Sequence, residues 1–149
     1  MPAHRHGHEP LASLTRRLRG KNRRVTGPRQ AILDLLRQQA HPQAIKQIHS
    51  ALPPGECDLA TVYRSIRILE QAGMVQRFDF GDGVARFELI GDGDDAHHHH
   101  LVCTQCDVVV EIDDCFPAQL EQKIARHNGF INLTHKLEFF GLCPSCQPA

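Results

Sequence analysis

Two C-x-x-C pairs, Cys103/Cys106 and Cys143/Cys146, set the tightest limit on how this chain folds. Four thiolates satisfy a zinc ion tetrahedrally and leave no coordination position open, so one ion held by both pairs is a structural staple. The second pair must then fold back beside the first, and the residues between them must form a small closed unit. A redox dithiol is the weaker reading, because the helix that normally follows such a motif is missing. Disulfide pairing belongs to secreted chains. The start, MPAHRHGHEP, has no apolar signal-peptide stretch and no apolar run reaches membrane-spanning length, so a cytoplasmic protein without membrane contact is expected. Cys57 and Cys115 stand outside the pattern.

Immediately before the first pair lie four histidines, His97 to His100, which run without a break into Leu101 and Val102. In an extended segment side chains alternate, so His98 and His100 point one way and His97 and His99 the other. One run can therefore feed two metal sites. Partners available to the first are His41, Glu88 and Glu111; partners available to the second are His135 and a helix carboxylate, Glu121. A nitrogen and oxygen donor set of the first kind suits Fe(II), Mn(II), Zn(II) or Co(II), and it is harder and more reversible than four thiolates.

The net charge of zero conceals two unlike halves. Up to Ile90 there are 14 Lys/Arg against 8 Asp/Glu; from Gly91 on there are 3 against 9. A basic half joined to an acidic, His/Cys-rich half suggests a polyanion-binding module attached to a metal module. The basic residues cluster early, at Arg16, Arg17, Arg19, Lys21, Arg23 and Arg24, as phosphate contacts would. Residues 1–10, with His4, His6 and His8, read as a disordered tail. A short amphipathic helix follows over Leu11–Arg19. Thr26-Gly27-Pro28 starts a second helix that runs to near Ala40, and a third covers about Gln43–Leu52. Asp58 caps a fourth, which Gly73 stops. On that helix Leu59, Val62, Ile66 and Leu69 share one face, while Ala60, Tyr63, Arg64 and Arg67 share the opposite one. An apolar face backed by arginines and a tyrosine is what a major-groove recognition helix needs. Met74–Phe80 and Val84–Leu89 alternate around Gly81-Asp82-Gly83 as a β-hairpin, which completes a winged helix-turn-helix over residues 11–90.

Residues 91–96 read as a hinge linker, and 97–149 as a metal-binding dimerisation domain. Strands are expected at Leu101–Cys103, Val108–Ile112 and Leu133–Phe140, with a helix from Pro117 to about His127. The fold class is thus α+β: an N-terminal winged helix-turn-helix, then a small C-terminal α/β domain with a three-stranded sheet. So small a sheet leaves much apolar surface uncovered, which points to a homodimer.

From Thr26 to Cys146 the chain resembles the ferric uptake regulator (Fur) family. The motifs that carry the resemblance are T-G-P-R at Thr26–Arg29, A-T-V-Y-R at Ala60–Arg64, R-F-E-L at Arg86–Leu89, H-H-H-H-L-V-C at His97–Cys103, and the closing C-x-x-C. The resemblance implies a homodimeric, metal-activated repressor that binds double-stranded operator DNA. It places Tyr63 and Arg64 at the DNA, with Arg24 reaching toward the minor groove. His41, Glu88, His98 and His100, joined by Glu111, fall on a regulatory site at the hinge. His97, His99 and His135 fall on a third site, and the four cysteines on structural zinc. The implied regulatory metal is Fe(II), controlling iron uptake genes, with zinc, manganese or peroxide sensing as alternatives.

The chain departs from the family pattern in two places. Iron regulators usually read H-H-D-H where His97 to His100 stand, and the helix carboxylate expected near Ala118 is replaced by Glu121 one turn on. A cysteine in the hinge site would mark a zinc sensor, but that position is Glu88. Other classes fare worse. Neither an HExxH helix nor the H-x-E and P-C-x-x-C arrangement of a zinc deaminase is present, so no enzyme is expected. A metal-storage protein or chaperone has no use for Arg64 and Arg67 opposite an apolar helix face.

Overall fold

The computed structural model describes residues 9–39, 41–91, 98–112 and 118–149, and the chain divides into two compact units, Met1–Gly93 and Asp94–Ala149. The histidine-bearing tail at 1–8, most of the linker, His97 and Cys115 lie outside the described residues.

The first unit opens with α1 (Leu11–Gly20), which buries Leu14, Thr15 and Leu18. Helix α2 (Gly27–Arg37) is capped by Thr26, whose Oγ1 accepts from the Arg29 N–H at 3.4 Å, and Pro28 sits in its first turn. It ends at Arg37, short of the expected Ala40. The reason lies ahead of it: Pro42 disfavours a helical residue before it, and the chain extends into a strand that the sequence reading did not anticipate. Gln43–Ala44 form β1 rather than opening a helix, and α3 covers Ile45–Ala51. Helix α4 (Leu59–Gln71) is capped by Asp58, whose Oδ1 accepts from the Thr61 N–H at 2.8 Å. It stops before Gly73, which takes φ +69°, a conformation open to glycine at no steric cost. Its buried face is Val62, Ser65, Ile66 and Leu69; Leu59, expected there, is only half-buried at the first turn.

Strands β2 (Val75–Asp79) and β3 (Ala85–Leu89) form the hairpin, and β1 adds to it in the order β1-β3-β2, all antiparallel. The continuous apolar core runs from Leu14 to Leu89, entirely within this unit. The hairpin tip is held by Asp82, which takes both Arg86 guanidinium nitrogens at 2.7 and 3.1 Å while Arg86 lies over the Phe80 ring. This bidentate pairing pulls the Asp82 carboxyl down to about 2.

The second unit consists of β4 (His99–Cys103), β5 (Val109–Ile112), α5 (Ala118–Asn128) and β6 (Glu138–Gly141). Its sheet has the order β5-β4-β6. Strand β4 is antiparallel to β5 and parallel to β6, with α5 lying in the long connection that a parallel pairing requires. The last strand is shorter than the expected Leu133–Phe140, because its ladder with β4 begins only where Glu138 meets His100. Leu101, Val110 and Phe139 form a cross-strand row that is 41%, 48% and 38% exposed. The architecture is α+β, a winged helix-turn-helix followed by a small unit with a three-stranded sheet.

Candidate metal centres and nucleic-acid face

The Cys-Thr-Gln-Cys turn after β4 and the Cys-Pro-Ser-Cys turn after β6 are adjacent because β4 and β6 run parallel and end side by side, Cys103 opposite Gly141. All four sulfurs lie within 4.8 Å of one another. The Cys106 and Cys143 sulfurs are 3.7 Å apart, far beyond a disulfide bond. A tetrahedron with zinc–sulfur bonds of ordinary length has edges of roughly 3.8 Å, so these donors fit zinc as they stand. Backbone N–H groups of Cys143, Cys106 and Gln105 aim at the Cys103 sulfur and lower its thiol to about 6. The neighbouring Cys143 and Cys106 sulfurs push Cys146 up to about 12. The four sulfurs cannot all be anionic without a cation among them.

The alternation expected of the histidine run is present in β4. On one face, His99 is 2% exposed and its Nε2 lies 3.3 Å from His135 Nε2. Two imidazoles on one tetrahedral ion would be separated by roughly this distance, 3.3–3.4 Å. Glu121 on α5 is in contact with the other nitrogen of the same ring, Oε1 to His135 Nδ1 at 2.7 Å. His99, His135 and Glu121, grouped by the sequence as one candidate site, are thus brought together, with His99 and Glu121 at opposite nitrogens of the His135 ring. His97, the remaining candidate, lies outside the described residues.

On the opposite face His98 and His100 stack edge to face, with ring centroids 4.9 Å apart. His98 Nδ1 is 3.5 Å from Glu111 Oε1, and His100 Nδ1 is 3.3 Å from Glu138 Oε2. Sequence reasoning missed Glu138. Its signal is not in any motif but in the parallel register that sets it directly beside His100. Burial holds its carboxyl above the usual range, against the pull of His100.

His41 and Glu88, the other two candidates for this site, belong to the first unit. The unanticipated β1 is what relates them there: with Gln43 opposite Phe87 in an antiparallel ladder, the chain before β1 runs toward the Glu88 end of β3. Glu88 is 6% exposed, an uncommon state for a carboxylate, and His41 is half-buried.

On α4, Tyr63 is 51% exposed and Arg64 and Arg67 are exposed with it, opposite the buried face. Arg64 donates to Thr61 Oγ1 at 3.1 Å. Arg24 is exposed, and its carbonyl accepts from Arg29 Nη1 at 2.6 Å, which braces the loop that carries it. Arg17 leaves the basic cluster, since its guanidinium is committed to Glu9 at 2.6 Å and to the Ile90 carbonyl at 3.1 Å. No described helix is long and apolar enough to cross a membrane.

Comparison with known proteins agrees over nearly the whole chain. The model of the Ferric uptake regulator family matches residues 20–140. The ferric uptake regulation protein of Bordetella parapertussis is 40% identical over 134 residues, covering 87% of this chain and 94% of that protein. The peroxide-responsive repressor PerR of Staphylococcus saprophyticus is 35% identical over 134 residues, covering 87% and 86%. The crystal structure of the Vibrio cholerae ferric uptake regulator matches with a TM-score of 0.72 at 30% identity, covering 87% of this chain and 98% of that one. A matched span that takes in the recognition helix, the wing and the histidine run leaves one conclusion: the chain belongs to the ferric uptake regulator family of metal-responsive transcription regulators.

Proposed function

We propose that this chain is a cytoplasmic, homodimeric repressor that senses Fe(II) and controls iron uptake genes by binding double-stranded operator DNA. The observation that carries the metal assignment is the donor set. His41, Glu88, His98, His100 and Glu111 offer imidazole nitrogen and carboxylate oxygen but no thiolate, a set harder than the four-cysteine cluster and suited to Fe(II). Ferric uptake regulation proteins at 40% identity support the same reading. Zinc takes the structural role, held by Cys103, Cys106, Cys143 and Cys146, whose sulfurs lie within 4.8 Å of one another, Cys106 and Cys143 at 3.7 Å.

The switch follows from where the ligands lie in the chain. His41 and Glu88 belong to the winged-helix unit, and His98, His100 and Glu111 to the C-terminal one. Residues from both units that bind one ion fix the angle between those units, so a loaded dimer presents its two α4 helices at one spacing. Tyr63, Arg64 and Arg67 then read the major groove, and Arg24 reaches the adjacent minor groove. The exposed row Leu101, Val110 and Phe139 supports the homodimer, because so small a unit leaves it uncovered.

Zinc sensing is the second reading, and one observation favours it. His99 stands where iron regulators usually carry aspartate, and His99 with His135 makes an imidazole pair at zinc spacing. Operator binding by metal-free protein, titrated anaerobically with Fe(II), Mn(II) and Zn(II), decides between the two. Fe(II) should give the tightest complex, and Glu88→Ala should abolish the metal dependence while leaving the thiolate zinc in place. Equal operator affinity with and without every metal would overturn the proposal.

A further inference from the structure

We infer that Glu138 is a positioning residue of the regulatory metal site: its carboxylate holds the proton of His100 on Nδ1 and so reserves Nε2 for the ion. This deepens the proposed function and rests on His100 being a regulatory ligand.

The sheet register makes the arrangement obligatory. His100 is paired with Glu111 across the antiparallel edge of β4 and with Glu138 across the parallel edge, so the three side chains stand in one row on one face. Glu111 turns to His98, at 3.5 Å from its Nδ1, and Glu138 is left to His100. Both groups are shielded, with side-chain exposures of 2% for His100 and 17% for Glu138. The Glu138 Oε2 atom is shut off from solvent and makes no hydrogen bond among the described residues, and at 3.3 Å it faces His100 Nδ1. A buried carboxylate oxygen needs a donor, and a proton on that nitrogen supplies one.

The same relation recurs once more in this unit, where His135 turns Nδ1 to Glu121 at 2.7 Å. Carboxylates placed behind ligating imidazoles fix the tautomer, orient the ring and raise the basicity of the nitrogen that binds metal. A neutral imidazole without such a partner carries its proton mainly on Nε2, the wrong nitrogen for this site. Glu138 reverses that preference at His100 before any ion arrives.

The test uses the full-length chain, with zinc at the thiolate site and regulatory metal removed, labelled with nitrogen-15 histidine. Long-range proton–nitrogen correlation at alkaline pH should show the His100 proton on Nδ1 in the unaltered protein and in Glu138→Gln, whose amide oxygen still accepts. In Glu138→Ala it should move to Nε2. Glu138→Leu, which fills the space without an acceptor, repeats the measurement if the alanine variant unfolds. With Mn(II) as the probe, affinity should fall about 10- to 100-fold in the alanine and leucine variants and stay near the unaltered value in Glu138→Gln. An unchanged tautomer in Glu138→Ala and Glu138→Leu overturns the inference. Equal loss of affinity in Glu138→Gln overturns it too, since the carboxylate would then be binding the ion directly. His100→Ala separates the two levels: if that variant keeps full Mn(II) affinity, the regulatory-site reading itself fails, whatever Glu138 does.

Discussion

Within the thiolate cluster the four cysteines are chemically unequal, and the inequality has a measurable consequence. Cys103 receives three backbone N–H groups and titrates at about 6, whereas Cys146, crowded by neighbouring sulfurs, is held at about 12. Cys103 is therefore a thiolate at neutral pH without metal, the natural first anchor for an incoming ion. Because its folded value lies below that of an ordinary thiol, its ionisation favours the folded unit above the ordinary thiol range. That contribution is lost as pH falls through about 6. Zinc uptake at neutral pH should release fewer protons than a full set of four thiols would, about three per ion. Calorimetry in buffers of different protonation enthalpy counts them, and a release of four would show that Cys103 is not ionised beforehand. Cys143→Ala should remove one equivalent of zinc and leave operator binding by residual folded protein dependent on the regulatory metal.

Helix α4 divides its work between two faces, and substitutions should separate them. Ile66 is 1% exposed in the core, so Ile66→Ala should cost about 3 kcal/mol in chemical denaturation. Arg67→Ala, on the exposed face, should leave the denaturation midpoint alone and weaken operator binding about tenfold or more. A loss of stability in Arg67→Ala comparable to that in Ile66→Ala would contradict the division. At the wing, Arg86→Gln should raise the Asp82 midpoint from about 2 toward the ordinary carboxylate value of about 4, read by carboxyl NMR. These faces were legible in the sequence because the 3.6-residue period and the caps Thr26 and Asp58 are local signals. So were the four cysteines, whose spacing names their chemistry. Strand β1 was not legible, since two residues show no periodicity and Gln43–Ala44 becomes a strand only through its partner β3. Ser65 escaped notice because a hydroxyl on an apolar face reads as solvent-facing, although the packing of α4 encloses it. The contacts of Glu138 with His100 and of Glu121 with His135 depend on which strands and helices become neighbours, and residue spacing carries no record of a parallel register.

For the whole molecule, the proposed switch is a linkage between an ion and an operator, and its size can be bounded. Moving a dimer from 1:99 to 99:1 in favour of the DNA-competent arrangement takes about 10⁴-fold of differential affinity. Two regulatory ions per dimer supply that at about 100-fold each, which reversible nitrogen and oxygen sites can provide without extreme absolute affinity. Linkage is reciprocal, so whatever factor the ion confers on operator binding, the operator must confer on ion binding. Titrating the regulatory site with Mn(II), with and without saturating operator DNA, should therefore show tighter binding on DNA by about 100-fold for the two ions together, roughly tenfold per site. Glu88→Ala should remove both halves of the coupling together, because in the proposed switch Glu88 is a ligand that the winged-helix unit contributes. A protein whose operator affinity depends on metal, but whose metal affinity ignores the operator, would break the linkage. The metal would then be acting on folding or dimerisation instead of on the arrangement of the two units.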